Sequence, residues 1–343
     1  MGRPSIIIVN KILSDEESKQ LEGQWIDESF LKIPVIRENT DVYYMEKGER
    51  KLLLKFRRNC ISSPLIRTGW KSYKDLAKPS RGRGASAGPI ATDSAYWKKR
   101  NLVKTNKWST GYLKEDGTES KMKVNNQVAS NPIGFYESAS NFCKLPCRLT
   151  HFTRTNYDKY QEGLPFIQRI SEMFQKLIPD SYTKQLAKAN LKPHLKIPET
   201  CFSTITINRN FRTACHKDAG DYKDGFGNLT VIERGKYHGG YTVFPQFGVG
   251  IDARSGDFLA MDVHQWHSNT PMYETKEDIL FNQQMDSVFK DNPDVGTAGI
   301  YEKYTRLTFV CYLRDKISKC PDEIDSRFLG PSGHSKIQEE EEV

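Results

Sequence analysis

Four side chains able to hold a metal lie within residues 201–272: His216, Asp218, His264 and His267. In an extended segment alternate side chains point the same way, so His216 and Asp218, separated only by Lys217, can reach one ion together. A third ligand must come from elsewhere. His267 is the best candidate and His264 competes with it. Two imidazoles and one carboxylate on one face of an octahedron leave three positions open, which suits non-haem Fe(II). A lone His-x-Asp is weak evidence, and the ordered set after it carries more. It runs through Gly239-Gly240-Tyr241, residues 249–252, Gly256-Asp257-Phe258-Leu259-Ala260 and His267 to Arg306-Leu307-Thr308. On a strand, Arg306, Thr308 and Val310 share one face while Leu307, Phe309, Cys311 and Leu313 share the other. An arginine fork and a hydroxyl turned together into a core are what a buried dicarboxylate requires.

Several elements must position these groups. From Phe202 the apolar period is two: Thr204, Thr206 and Asn208 fall on one face, Ile205 and Ile207 on the other. The polar face suits a ligand-lined interior, and the apolar face suits packing against preceding helices. Further strands are expected at residues 229–233, 241–244, 249–252, 256–262 and 304–313, with Gly, Pro or Asn in most gaps. Upstream, Ser14 and Glu17 form a capping-box pattern, predicting a helix that continues to about Phe30. Residues 51–58 show no clean period and fit a strand or a short helix. Ile167, Ile170, Phe174 and Leu177 recur at helical spacing, predicting a core-facing helix that Pro179 interrupts before a second one over 181–192. Helices followed by a run of short strands give an α+β fold with a β-sandwich or jelly-roll core.

The bulk numbers set limits on function. The chain has 343 residues, 37% hydrophobic and 11% aromatic, and no apolar run of membrane-spanning length or signal-peptide pattern, so an intracellular location is expected. Its seven cysteines are odd in number and scattered, which predicts reduced thiols. Cys143-x3-Cys147 lacks a second pair at zinc-site spacing. Net charge is +8, and Glu339–Glu342 contribute four negative charges, so the rest of the chain carries +12. That excess favours polyanionic partners. It is concentrated in residues 71–100, where Lys71, Lys74, Lys78, Arg81, Arg83, Lys98, Lys99 and Arg100 alternate with glycines and with Tyr73, Tyr96 and Trp97. Such a loop either contacts phosphates, with aromatics to stack on bases, or is a solvated surface. Residues 114–131 fit an exposed hairpin or loop.

The order His-x-Asp, Gly-Gly, Gly-Asp, His, Arg-x-Thr resembles the double-stranded β-helix of Fe(II)- and 2-oxoglutarate-dependent dioxygenases. Arg212 to Asp221, Gly239 to Pro245 and Asp262 to Pro271 resemble its TET/JBP branch, in the flavour carried by large DNA viruses, phages and some protists. The resemblance implies a cupin-like double-stranded β-helix flanked by N-terminal helices. It divides the chain into a helical and basic-loop region (1–131), the dioxygenase domain (132–318) and a polar, acidic, disordered tail (319–343). It makes His216, Asp218 and His267 the iron ligands, preferring His267 to His264. Arg306 would hold the distal carboxylate of 2-oxoglutarate with Thr308 as helper; the long interval from His267 implies an inserted lobe over 272–301 and leaves Arg314 as the fallback. Arg212 either closes on the cosubstrate's other carboxylate or pairs with Asp221, and Asn208 contacts cosubstrate or base. Trp266 and Tyr241 would pack in the core, the preferred role, or stack on an extruded base, and Arg81 and Arg83 would grip the DNA backbone. The activity implied is hydroxylation of 5-methylcytosine in DNA to 5-hydroxymethylcytosine by a ferryl oxidant on a flipped-out base, by a monomer. The alternatives are thymine hydroxylation, oxidation of a protein or small molecule, and a non-catalytic nucleic-acid-binding module. The location would be the nucleus in a eukaryote, or the host or cell cytoplasm for a virus or phage.

Overall fold

The computed structural model describes residues 3–76, 78–90, 102–104, 110–112, 114, 116–119, 125–138, 145–286 and 304–331. Lys98, Lys99, Arg100, Tyr96, Trp97, Cys143, residues 287–301 of the expected lobe and the tail from 332 lie outside them.

Alternating residues build the centre of a large sheet. Its strands run in the order Ser5–Val9, Thr40–Glu46, Glu49–Arg57, Phe258–Met261, Gly227–Arg234, Thr305–Tyr312, Thr204–Arg209, Val128–Tyr136 and Pro79–Ser80, with Arg148–Leu149 also paired to Val128–Tyr136. The Ser5–Val9 and Thr40–Glu46 pair is parallel, and the other pairs are antiparallel. One face is covered by helices. Ile205, Ile207, Leu307 and Phe309 pack there with Phe166, Ile170 and Phe174 of the helix Tyr157–Leu177. Each such fully buried side chain contributes roughly 1.5–3 kcal/mol of burial free energy. The helix ends before Pro179, where Pro179–Ala189 begins.

The opposite face meets a three-stranded sheet, Val249–Ile251, Thr242–Phe244 and Ser268–Asn269. Leu229, Val231 and Leu259 pack with Phe244, Val249 and Ile251 between the two sheets. Residues 213–218 continue the small sheet irregularly: Asn269 N–H donates to Thr213 O, and His216 and His267 exchange both backbone hydrogen bonds at 3.0 Å.

Three expectations change. The N-terminal region is not chiefly helical, because Ser5–Val9, Thr40–Glu46 and Glu49–Arg57 extend the large sheet. Leu52 packs towards one core and Leu53, Leu54 and Phe56 towards the other, so the last of these strands has no clean period. The first helix caps at Ser14 as expected but spans only Asp15–Gln20. The chain turns at Gly23, whose φ is 71°, and Gly23 N–H donates to Cys215 O. The thiols are not all reduced: Cys147 and Cys320 form a disulfide across a sequence separation of 173. Cys320 therefore ties the start of the expected tail to the fold, where Ile324 and Leu329 pack against Leu149 and Ile317.

Candidate metal centre

Where the two sheets face each other, a cavity of about 290 Å³ opens, close to the lower end of ligand-sized sites, which run from about 300 to 1,000 Å³. His216, Asp218 and His267 stand at its wall, with one ligand atom from each lying within 4.8 Å of the others. The paired backbones of His216 and His267 bring the two rings to 4.3 Å between centroids. Asp218 N–H bonds to Val263 O, which anchors the third member. His216 Nε2 lies 3.5 Å from Asp218 Oδ1, and His267 Nε2 lies 3.9 Å from Oδ2.

The tautomers follow from the other ring nitrogens. His216 Nδ1 lies 2.8 Å from Ala214 O, and His267 Nδ1 lies 2.9 Å from Gln265 O. A carbonyl can only accept, so each Nδ1 carries a proton and each Nε2 is the atom left facing Asp218. Burial, with the neighbouring His216 next, pushes the His267 imidazole down to about 4, so it is neutral at pH 7. Two imidazoles and a carboxylate converging on one point form a donor set that fits a divalent cation. His264 stands apart, with Nε2 3.4 Å from Tyr222 O and its backbone N–H on Asp262.

Away from these three residues the wall is polar. Thr206, Asn208, Thr308 and Tyr312 line it from the large sheet, and Thr242 and Asn269 line it from the small one. Arg306 lies outside the lining, on the same strand face as Thr308 and one alternate position before it, about 7 Å away along the strand. It is only 3% exposed, and its Nη2 has no hydrogen-bond partner among the described residues. Glu233, directly opposite in register, is already engaged by Tyr237 Oη, Arg254 and Ser255 N–H. A buried guanidinium nitrogen without a partner calls for an anion. Gly240 makes room beside it: at φ 69°, a Cβ would stand 3.0 Å from Met272 Cγ and 3.5 Å from Arg306 Nε. The Gly-Gly of the sequence thus brings backbone up to the arginine.

Arg314 occupies the other end of the cavity. Glu137 holds its fork through two hydrogen bonds, and it lies over the Tyr136 ring. Asp221, close by, was missed as a site residue in its own right. Its Oδ2 is buried with no hydrogen-bond partner among the described residues, and burial, then the nearby Asp218, raises its carboxyl well above the usual range. The only sequence signal was its place three residues after Asp218.

The remaining expected site residues divide. Arg83 lines the cavity, and Arg81 donates to Gln127 on the surface. Arg212 lies over the Trp25 ring and donates to the carbonyls of Ile26 and Asn269. Trp266 and Tyr241 belong to an apolar cluster with Ile26 and Val243 rather than to the lining. Among the described residues no helix is long and apolar enough to cross a membrane.

A family model, Tet_JBP, described as the oxygenase domain of the 2OGFeDO superfamily, matches residues 131–315. The chain is 28% identical over 195 residues to the bifunctional helicase and thymine dioxygenase JBP2 of Leishmania tarentolae, covering 57% of this chain and 15% of that protein. It is 31% identical over 177 residues to the thymine dioxygenase JBP1 of Trypanosoma brucei brucei, covering 52% and 21% respectively. The match thus spans about a fifth or less of these relatives. Among solved structures, NgTET1 in complex with 5mC DNA aligns with a TM-score of 0.48 at 10% identity, over 96% of this chain and 100% of that one.

Proposed function

The chain belongs to the Tet_JBP family of oxygenase domains in the 2OGFeDO superfamily, which uses Fe(II) and 2-oxoglutarate, and we propose that it hydroxylates the 5-methyl group of a pyrimidine base in DNA. In this reading the two facing sheets are a double-stranded β-helix. His216, Asp218 and His267 hold the iron, and Arg306 with Thr308 receives the distal carboxylate of 2-oxoglutarate. The observation that carries the reading is a His-Asp-His donor set at the cavity wall together with a buried arginine on the facing large sheet, on the strand face of Thr308, whose Nη2 has no hydrogen-bond partner among the described residues. When bound, Fe(II) and 2-oxoglutarate would supply the oxidising power to put one oxygen atom of O2 into a methyl C–H bond while the keto acid becomes succinate and CO2.

The protein's own residues orient and exclude. Nδ1 protons held on Ala214 O and Gln265 O fix both imidazoles in the metal-binding tautomer. A methyl group stacked within a duplex cannot enter the cavity, so the nucleotide is turned out of the stack. Asp221 Oδ2 has no partner among the described residues, and a polar group on the edge of the base can supply one. Arg83 meets the incoming nucleotide at the cavity wall. We take 5-methylcytosine as the substrate, giving 5-hydroxymethylcytosine; the names of the JBP relatives favour thymine as a second reading.

Purified protein with Fe(II), 2-oxoglutarate and O2 is to be incubated with duplexes carrying 5-methylcytosine, thymine alone, or neither. Mass spectrometry of the nucleosides should find a hydroxymethyl pyrimidine from the first, or from the first two. No oxidised base from any duplex would overturn the reading.

A further inference from the structure

We propose that Ser130 is a positioning residue that completes a hydrogen-bond relay along the cavity wall, so that Asn208 can donate to Thr308 and leave the Thr308 hydrogen for the distal carboxylate of 2-oxoglutarate. The inference rests on the proposed function, in which Thr308 and Arg306 receive that group.

Three neighbouring strands bring Ser130, Asn208 and Thr308 side by side: Ser130 is opposite Asn208 in one pair, and Asn208 is opposite Thr308 in the next. All three are buried, at 1%, 7% and 6% exposure. Ser130 Oγ donates to Asn208 Oδ1 at 2.5 Å, and Asn208 Nδ2 donates to Thr308 Oγ1 at 3.1 Å. The direction of this relay matters more than its existence. A hydroxyl that accepts along the wall keeps its own hydrogen for another partner, and Thr308 lines the cavity. In the reverse relay, Asn208 Nδ2 would donate to Ser130, and Thr308 would spend its hydrogen on Asn208 Oδ1. Thr308 would then turn only lone pairs towards the carboxylate, and the contact would be repulsive.

An amide can flip with little change in shape, and a serine hydroxyl can donate or accept. Ser130 supplies the donor for Oδ1 that lets Asn208 keep Nδ2 on Thr308 without leaving a buried oxygen unpaired when the Thr308 hydrogen is given to the ligand. It is not among the cavity-lining residues, and therefore acts on the ligand only through Asn208. Its backbone carbonyl accepts from Ser80 Oγ at 2.8 Å, which pins the start of this strand to the Pro79–Ser80 strand.

The test is a double-mutant cycle on 2-oxoglutarate affinity, read by calorimetry on the full chain loaded with Mn(II), so that no turnover is involved. Ser130→Ala should weaken binding about three- to tenfold, the equivalent of one neutral hydrogen bond. Thr308→Val should weaken it at least as much. The double variant should bind no more weakly than Thr308→Val alone, because Ser130 has nothing left to direct. Ser130→Thr, which keeps a donor, should restore affinity. Unchanged affinity in Ser130→Ala, or additive losses in the double variant, would overturn the proposal. If Arg306→Met and Thr308→Val also bind 2-oxoglutarate normally, the cosubstrate site itself is wrong; if they do not, only the Ser130 inference fails. Thermal melts check the fold, and Ser130→Cys, a near-isostere with a poor donor, repeats the cycle should the alanine variant not fold.

Discussion

Replacing Arg306 with methionine should move two quantities in opposite directions. The guanidinium is buried, its Nη2 has no partner among the described residues, and the acid opposite it in register is engaged elsewhere. Without ligand, the folded protein carries the desolvation cost of that unmade bond, about 1–3 kcal/mol. Arg306→Met keeps an unbranched apolar stem of similar reach, so the ligand-free protein should melt at the same temperature or higher. With ligand the sign reverses. Removing one partner of a buried charge pair leaves the other charge unpaired, at about 2–5 kcal/mol. That corresponds to a rise in the dissociation constant for 2-oxoglutarate of roughly thirtyfold to several thousandfold. Differential scanning fluorimetry with and without saturating 2-oxoglutarate reads both effects in one experiment. Wild type should gain stability from the ligand, and the variant should start level or higher and gain little. A variant that loses several kcal/mol without ligand yet binds 2-oxoglutarate within threefold of wild type would refute the reasoning, because Arg306 would then be a structural cation whose partner is protein.

Further outcomes follow from the same geometry. His216→Ala and Asp218→Ala should each abolish stoichiometric Fe(II) binding by anaerobic titration, whereas His264→Ala should leave it intact. In the metal-free protein, the folded state holds His267 neutral down to about 4, while the unfolded chain protonates it from about 6.5. Its contribution to stability is therefore complete above about pH 6.5 and is lost as pH falls through about 4, on the order of 3 kcal/mol. Urea denaturation between pH 7 and pH 4 should show this fall, and His267→Gln should flatten it. Cys320→Ser should cost about 2–4 kcal/mol of stability in non-reducing buffer and almost nothing once dithiothreitol has reduced wild type to the same state.

The sequence was most legible where one face of a strand is polar and the other apolar. Thr206 and Asn208 do line the cavity while Ile205 and Ile207 meet the helices. It was least legible where both faces are buried, as at residues 49–57, or where a partner is distant in the chain. Nothing near Cys147 indicates Cys320, and nothing near Arg314 indicates Glu137. The sequence preferred His267 to His264, and the backbone pairing of His216 with His267 supplies the physical reason by bringing that ring towards Asp218. The base-stacking expectation for Trp266 and Tyr241 rested on residue type alone, and apolar burial has a stronger claim on both side chains.

The central claim is that this chain oxidises a base methyl group by way of the His-Asp-His centre and 2-oxoglutarate. The most direct measurement is the fate of labelled oxygen. With 18O2, Fe(II), 2-oxoglutarate and DNA containing 5-methylcytosine, wild type should place one label in the hydroxymethyl base and one in succinate, in equal amounts, and His267→Ala should yield neither. Labelled succinate without labelled base on both the cytosine and the thymine substrate would contradict the account.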